Sequence, residues 1–146
     1  MPEMTVEVYE SELNKFILRG ASRYPVEHIE AMFGSFKNSH AVISMFYPME
    51  YAAATRNACL FDEEDEPEEL DLLRQIAKEH GLQFLGTIHT HPGGNTCSHP
   101  SETDMDTFIE WGEIVSGTVN IYRWKGQGHA KVHFCTPWEP VKLSFL

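Results

Sequence analysis

Residues 86–106 read GTIHTHPGGNTCSHPSETDMD and contain two histidines separated by one residue, followed by a proline and two glycines. Residues 83–90, QFLGTIHT, are an apolar-leaning run that favours a β-strand. Side chains two residues apart on a strand point to the same face, so His89 and His91 project together, about 7 Å apart along the backbone. Two imidazoles at this spacing can lean towards one metal ion.

A helix start is predicted shortly after the histidine pair. Pro92 favours an extended His91 and removes the next backbone donor, so the strand should end there. Ser101 is typical of a helix N-cap, and Asp104 lies three residues later on the same face of the first turn. Two histidines and one carboxylate form a three-ligand zinc set with water in the fourth position, which is the catalytic pattern.

Each half of this pattern also has an ordinary structural interpretation. Ser-x-x-Asp is a common capping box, and two histidines can simply line a polar sheet face. A serine hydroxyl has one donor and two acceptor lone pairs, so Ser101 can cap a helix and still donate to a substrate. Cys97 and His99 lie in the intervening loop, where extra metal ligation or a cysteine nucleophile is the less favoured reading.

The combined pattern resembles the JAMM motif of the JAB/MPN+ zinc metalloproteases. In that family His-x-His-Pro is followed by a short spacer and Ser-x-x-Asp, with a glutamate well upstream. His89 to Pro92 and Ser101 to Asp104 match the two parts. Residues 25–34, PVEHIEAMFG, resemble the family's opening segment, in which the glutamate lies seven residues before a strand-ending glycine. This alignment assigns Glu27 and Gly34, and the resemblance extends from about residue 6 to the last strand.

The chain departs from the family pattern at two places. The spacer between His91 and Ser101 is longer than is usual, and Glu30 stands where the family has a small residue. Strand alternation puts Glu27 and Glu30 on opposite faces, so at most one of them faces the metal. Which of the two is the active glutamate remains open at this point.

The resemblance implies a chemistry and a substrate class. One Zn²⁺ per chain would be held by His89, His91 and Asp104, with Glu27 as the general base and Ser101 as a donor to the oxyanion. The implied reaction is hydrolysis of a peptide or isopeptide bond after the C-terminal tail of a ubiquitin-like protein. The alternatives are processing of sulfur-carrier proteins, which share the ubiquitin fold, and a non-catalytic MPN scaffold.

Length and composition indicate one globular domain over residues 1–146, with 42% hydrophobic and 23% charged residues. The net charge of −11 argues against nucleic acid as a partner and suits a partner with a basic face. There is no apolar run of membrane-spanning length and no apolar signal region, and the three cysteines favour a reducing cytoplasm over a disulfide scaffold. The oligomeric state is not predicted.

The expected fold is α/β, a single MPN/JAB-like domain with a mixed central sheet between helices, in cytidine-deaminase-like layering. Helices are predicted at residues 11–22, 68–80 and 101–115, and strands at 4–9, 29–36, 41–47, 83–90, 118–124, 131–136 and, as an edge strand, 141–145. Residues 48–67 are expected to be a loop. The last residues of this loop belong to the acidic run 62–69. This run is interpreted as a solvated loop or the start of the next helix, or alternatively as a flexible flap that meets a basic partner.

Overall fold

The computed structural model describes residues 4–24, 26–49, 53–54, 59–60, 66–91, 112–121, 131–136, 139 and 141–146. Its elements in chain order are β1 Thr5–Val8, α1 Glu10–Ser22, β2 Ile29–Lys37, β3 His40–Pro48, β4 Ala53–Ala54, β5 Cys59–Leu60, α2 Glu66–Glu79, β6 Gln83–His91, β7 Ser116–Asn120, β8 Lys131–Cys135 and β9 Lys142–Phe145. In the described part of the chain, neither helix has the length and apolar character needed to cross a membrane.

Seven strands form one mixed sheet in the order β8-β7-β6-β2-β3-β1-β9, and β4 pairs with β5 separately. The central strand β2 is antiparallel to both β3 and β6, whereas β1 is parallel to β3 and to β9, and β6 is parallel to β7. Asn38 and Ser39, with φ of 53° and 62°, close the β2–β3 hairpin. Positive φ at both central residues is the requirement of a type I′ turn, which matches the twist of the two strands.

The two helices cover opposite faces of the sheet. The buried stripe of α1, Leu13, Phe16 and Ile17, packs in the same apolar cluster as Met32 of β2 and Ile88 of β6. The buried side chains of α2 pack in a second cluster with alternate residues of β2, and this cluster contains Ile29, Ala31, Phe33, Met49, Leu73 and Ala77. The predicted α/β fold with a mixed sheet between helices is therefore confirmed.

Gly34 lies inside β2 and not at its end, which corrects the prediction of a strand-ending glycine. The register of β2 against β3 shifts between Phe33 and Gly34, and the strand then continues to Lys37. A Cβ atom at position 34 would lie 1.7 Å from the carbonyl oxygen of Val42. The irregular pairing brings the two backbones so close that only a glycine fits.

Most of the predicted elements agree with the structure to within one or two residues at their ends, including α1, α2, β6 and the edge strand β9. The expectation of a loop at residues 48–67 was wrong in part, because β4 and β5 lie there and α2 already begins at Glu66. The last four residues of the acidic run therefore form the first turn of α2.

The predicted ends of one helix and one strand in the C-terminal half also lie too far along the chain. The helix predicted for residues 101–115 does not include 112–115, because Gly112 has φ of 63°, the left-handed conformation that commonly ends a helix. The strand predicted to reach residue 124 ends at Asn120. Residues 101–111 and 122–130 lie outside the described residues.

Candidate metal centre

Glu27, His89 and His91 come together on the sheet face that α2 covers. His89 is the register partner of Ile29 at the start of β2, and cross-strand partners share a face. Glu27 precedes Ile29 by two residues and His91 follows His89 by two, so alternation places all three side chains on that face. One possible ligand atom from each residue lies within 4.8 Å of the others.

The two histidines face each other through the same ring nitrogen. Their Nε2 atoms are 2.8 Å apart, with ring centroids 4.7 Å apart and the planes tilted by 51°. Two nitrogens bound tetrahedrally to one zinc ion are about 3.3 Å apart, from Zn–N bonds of 2.0–2.1 Å. A small opening of the rings is therefore enough for both to bind one ion.

The burial of these three residues and the chemistry of their side chains suit a metal site. Glu27 and His89 are buried, while His91, at the end of β6, is only half-buried. Imidazole nitrogen is a donor that zinc takes in catalytic sites, and a carboxylate beside it can act on the water that zinc binds. By the chemistry and placement of its donors, the described part of the site fits zinc.

Glu30 points to the opposite face of the sheet, towards α1. Its carboxylate accepts two hydrogen bonds from Arg19, from Nε and from Nη2, each at 2.7 Å, and lies 2.5 Å from Nε2 of His28. Glu30 is fully buried. The hydrogen bond to Glu30 raises the pKa of the Arg19 guanidinium, although partial burial of the arginine opposes the rise. The structure thus places Glu27, and not Glu30, beside the histidines.

The model of the family described as prokaryotic homologs of the JAB domain matches residues 10–132. The chain belongs to this JAB-domain family. The matched segment includes β2 and β6, and with them Glu27 and the histidine pair. Membership of the JAB/MPN family, predicted from the motif, is therefore confirmed.

Two solved structures are similar to this JAB-domain chain over nearly its whole length. A protein from Desulfitobacterium hafniense, determined in solution, superposes with a TM-score of 0.69 at 15% identity, covering 97% of this chain and 93% of that one. A JAB1/MPN domain protein from Archaeoglobus fulgidus superposes with a TM-score of 0.59 at 17% identity, covering 98% and 99%. At 15% and 17% identity, the similarity to these two structures shows the fold alone. No curated protein matches the sequence significantly.

Another buried carboxylate, that of Glu113, contacts β6 close to the histidine pair and was not predicted from the sequence. Glu113 accepts a hydrogen bond from the Thr87 hydroxyl at 2.7 Å and another from the Thr87 backbone N–H. Thr87 precedes His89 by two residues and shares its face. The Glu113 contacts therefore hold β6 just before the histidine pair. Since they link residues 26 positions apart, no local pattern in the sequence indicates them.

The remaining predicted site residues lie outside the described residues. Ser101 and Asp104, which the motif assigns as oxyanion donor and third ligand, belong to this group, as do Cys97 and His99. Their roles stay predictions. Of the five residues that the motif assigns, the structure brings together Glu27, His89 and His91.

Proposed function

We propose that this JAB-domain protein is a zinc-dependent peptidase or isopeptidase that hydrolyses the amide bond after the C-terminal tail of a ubiquitin-like protein. The observation that carries the proposal is the placement of the Glu27 carboxylate beside the paired Nε2 atoms of His89 and His91. A carboxylate that adjoins a two-histidine zinc set can serve as a general base in metal-assisted hydrolysis.

In this proposal His89, His91 and Asp104 hold the zinc ion. When bound, the ion would act as a Lewis acid on the substrate carbonyl and would lower the pKa of its bound water towards about 7. Glu27 accepts a proton from the attacking water and passes it to the leaving amine. Ser101 donates a hydrogen bond to the oxygen that becomes negatively charged in the transition state.

The substrate class comes from the JAB/MPN+ resemblance and from the overall charge. The net charge of −11 favours encounter with a partner that carries a basic face, chiefly by raising the association rate. Ubiquitin-like proteins and the related sulfur carriers end in Gly-Gly, and two glycines without side chains can enter a narrow site as an extended tail. Sulfur-carrier processing is the second candidate within the same chemistry.

The proposal is tested with a panel of ubiquitin-fold proteins, each carrying a fluorescent amine in amide linkage on its terminal glycine. We expect the zinc-loaded protein to release the amine from at least one member, to lose this activity with 1,10-phenanthroline, and to regain it with one equivalent of zinc. Preference for a sulfur carrier over ubiquitin would favour the second candidate. Failure of the folded, zinc-loaded protein to cleave any member would contradict the proposal and favour a scaffold.

A further inference from the structure

The segment that carries Glu27 is attached to β6, the strand of His89 and His91. The contact lies on the face of the sheet opposite to the two histidines. The regular pairing of β2 with β6 begins at Ile29 and His89, so Glu27 lies beyond the last paired residue of its strand. The next pair along would be His28 with Thr90. His28 directly follows Glu27, and Thr90 directly precedes His91. The contacts that hold His28 and Thr90 in place therefore also hold the site.

The His28–Thr90 contact departs from an ordinary antiparallel pair. Two residues in a hydrogen-bonded pair normally exchange both of their backbone N–H and C=O groups. Here the Thr90 N–H is donated to the His28 carbonyl at 2.9 Å, whereas the His28 N–H is donated to the Thr90 hydroxyl oxygen, also at 2.9 Å. A side chain therefore serves as the acceptor at the point where the chain leaves the sheet towards Glu27.

The Thr90 side chain is itself tightly held. It is fully buried, and a Cβ atom added to Gly20 of α1 would lie 2.5 Å from the Thr90 methyl group. The helix backbone thus approaches the threonine closely enough that only a glycine fits. The His28 ring is held on the same side, stacked on Phe16 and hydrogen-bonded to Glu30. Neither partner of the His28–Thr90 contact has room to change its rotamer freely.

We propose that Thr90 is a positioning residue, whose hydroxyl fixes the direction of the chain at His28 and thereby holds the Glu27 carboxylate beside the histidine pair. The inference rests on the proposed function for what Glu27 does. It adds a residue that lies between the two histidines in sequence and projects to the opposite face, away from substrate and metal.

Two substitutions separate the hydroxyl from the methyl group. Thr90→Val keeps the shape and the methyl group but removes the acceptor, whereas Thr90→Ser keeps the acceptor and removes the methyl group. Thr90→Ala replaces Thr90→Val if the latter does not fold. Each variant is loaded with zinc and assayed on the fluorescent-amine conjugate that the wild type cleaves.

We expect Thr90→Val to lower kcat by about 10- to 100-fold, because a small misplacement of a catalytic group is costly, with KM changed by no more than about twofold. Thr90→Ser should stay within about threefold of the wild type. Zinc stoichiometry should be that of the wild type in both. Exchange of the His28 amide hydrogen, followed by NMR, should accelerate by about tenfold or more in Thr90→Val alone.

Wild-type kcat and His28 exchange in a folded Thr90→Val protein would overturn the inference. Equal losses of kcat in Thr90→Val and Thr90→Ser would also overturn it, since retention of the hydroxyl in Thr90→Ser would then not preserve the activity. If the wild type cleaves nothing, the proposed function has failed, and the exchange measurement alone decides. Faster exchange in Thr90→Val but not in Thr90→Ser would then still support the hydroxyl as the anchor of this segment, and equal exchange would refute it.

Discussion

Glu27→Gln is expected to lower kcat by about 100-fold or more while leaving the zinc content unchanged, because general acid–base catalysis contributes about 10²- to 10⁴-fold. Glutamine has nearly the shape of glutamate but cannot accept the proton. Glu27 adjoins the histidine pair without being one of the three ligands that the motif assigns, so the ion should stay bound. The measurement is turnover of the cleaved conjugate by zinc-loaded protein, with zinc determined on the same sample.

The matched control is Glu10→Gln, which makes the same chemical change at an exposed position in the first turn of α1. Its turnover should equal that of the wild type. Unchanged turnover in Glu27→Gln would remove this residue from the mechanism. Reassignment of the role to Glu30 would then require the Arg19 and His28 contacts to break, since these hold the Glu30 carboxylate on the other face.

Glu30→Gln is expected to lower the free energy of unfolding by about 3 kcal/mol, the lower part of the range for breaking a buried ion pair. The Glu30 side chain is fully buried, whereas Arg19 is 36% exposed and can recover some hydration, which limits the loss. The new amide NH2 would replace one carboxylate oxygen and face a guanidinium N–H in either orientation, so at least one Arg19 donor would lose its acceptor. Urea denaturation measures the effect.

Glu12→Gln is the control for this loss of stability. Glu12 pairs with Lys15 at 3.1 Å on the exposed surface of α1, where the side chains are 33% and 61% exposed. Removal of an exposed pair should change the free energy of unfolding by no more than about 0.5 kcal/mol. Equal, small effects in both variants would mean that the Arg19–Glu30–His28 network does not form in solution.

The parts of this site that the sequence predicts depend on short-range periodicity. Strand alternation alone places His89 and His91 on one face, and the spacing of Leu13, Phe16 and Ile17 predicts the buried stripe of α1. The same alternation separates Glu27 from Glu30. It does not say which of them faces the histidines, because that depends on the register between β2 and β6, which only the folded sheet sets.

The features that sequence reasoning missed are contacts between distant parts of the chain. Arg19 pairs with Glu30 from a different element, and Glu113 binds Thr87 across 26 positions. The family resemblance implied a strand-ending glycine at position 34, whereas the structure uses Gly34 inside β2 for a close approach to Val42. Each of these contacts is set by tertiary packing, so a short stretch of the sequence does not indicate it.

The assignment of Ser101 and Asp104 depends on the motif, and a substitution tests it independently of the fold. Capping and metal binding are both compatible with the Ser-x-x-Asp pattern. Loss of zinc in an otherwise folded Asp104→Ala protein would separate these roles, since a helix cap contributes to stability without affecting a metal.

The zinc content per chain, measured by mass spectrometry on protein purified without chelators, tests whether the histidine pair belongs to a metal centre. We expect about one zinc in the wild type and close to none in His89→Ala and Asp104→Ala, since each loses one of three ligands. His80→Ala, at an exposed position after α2, should retain the wild-type value. A folded wild-type protein without zinc, or a His89→Ala protein that keeps the full amount, would contradict the account of Glu27, His89 and His91 as a catalytic metal centre.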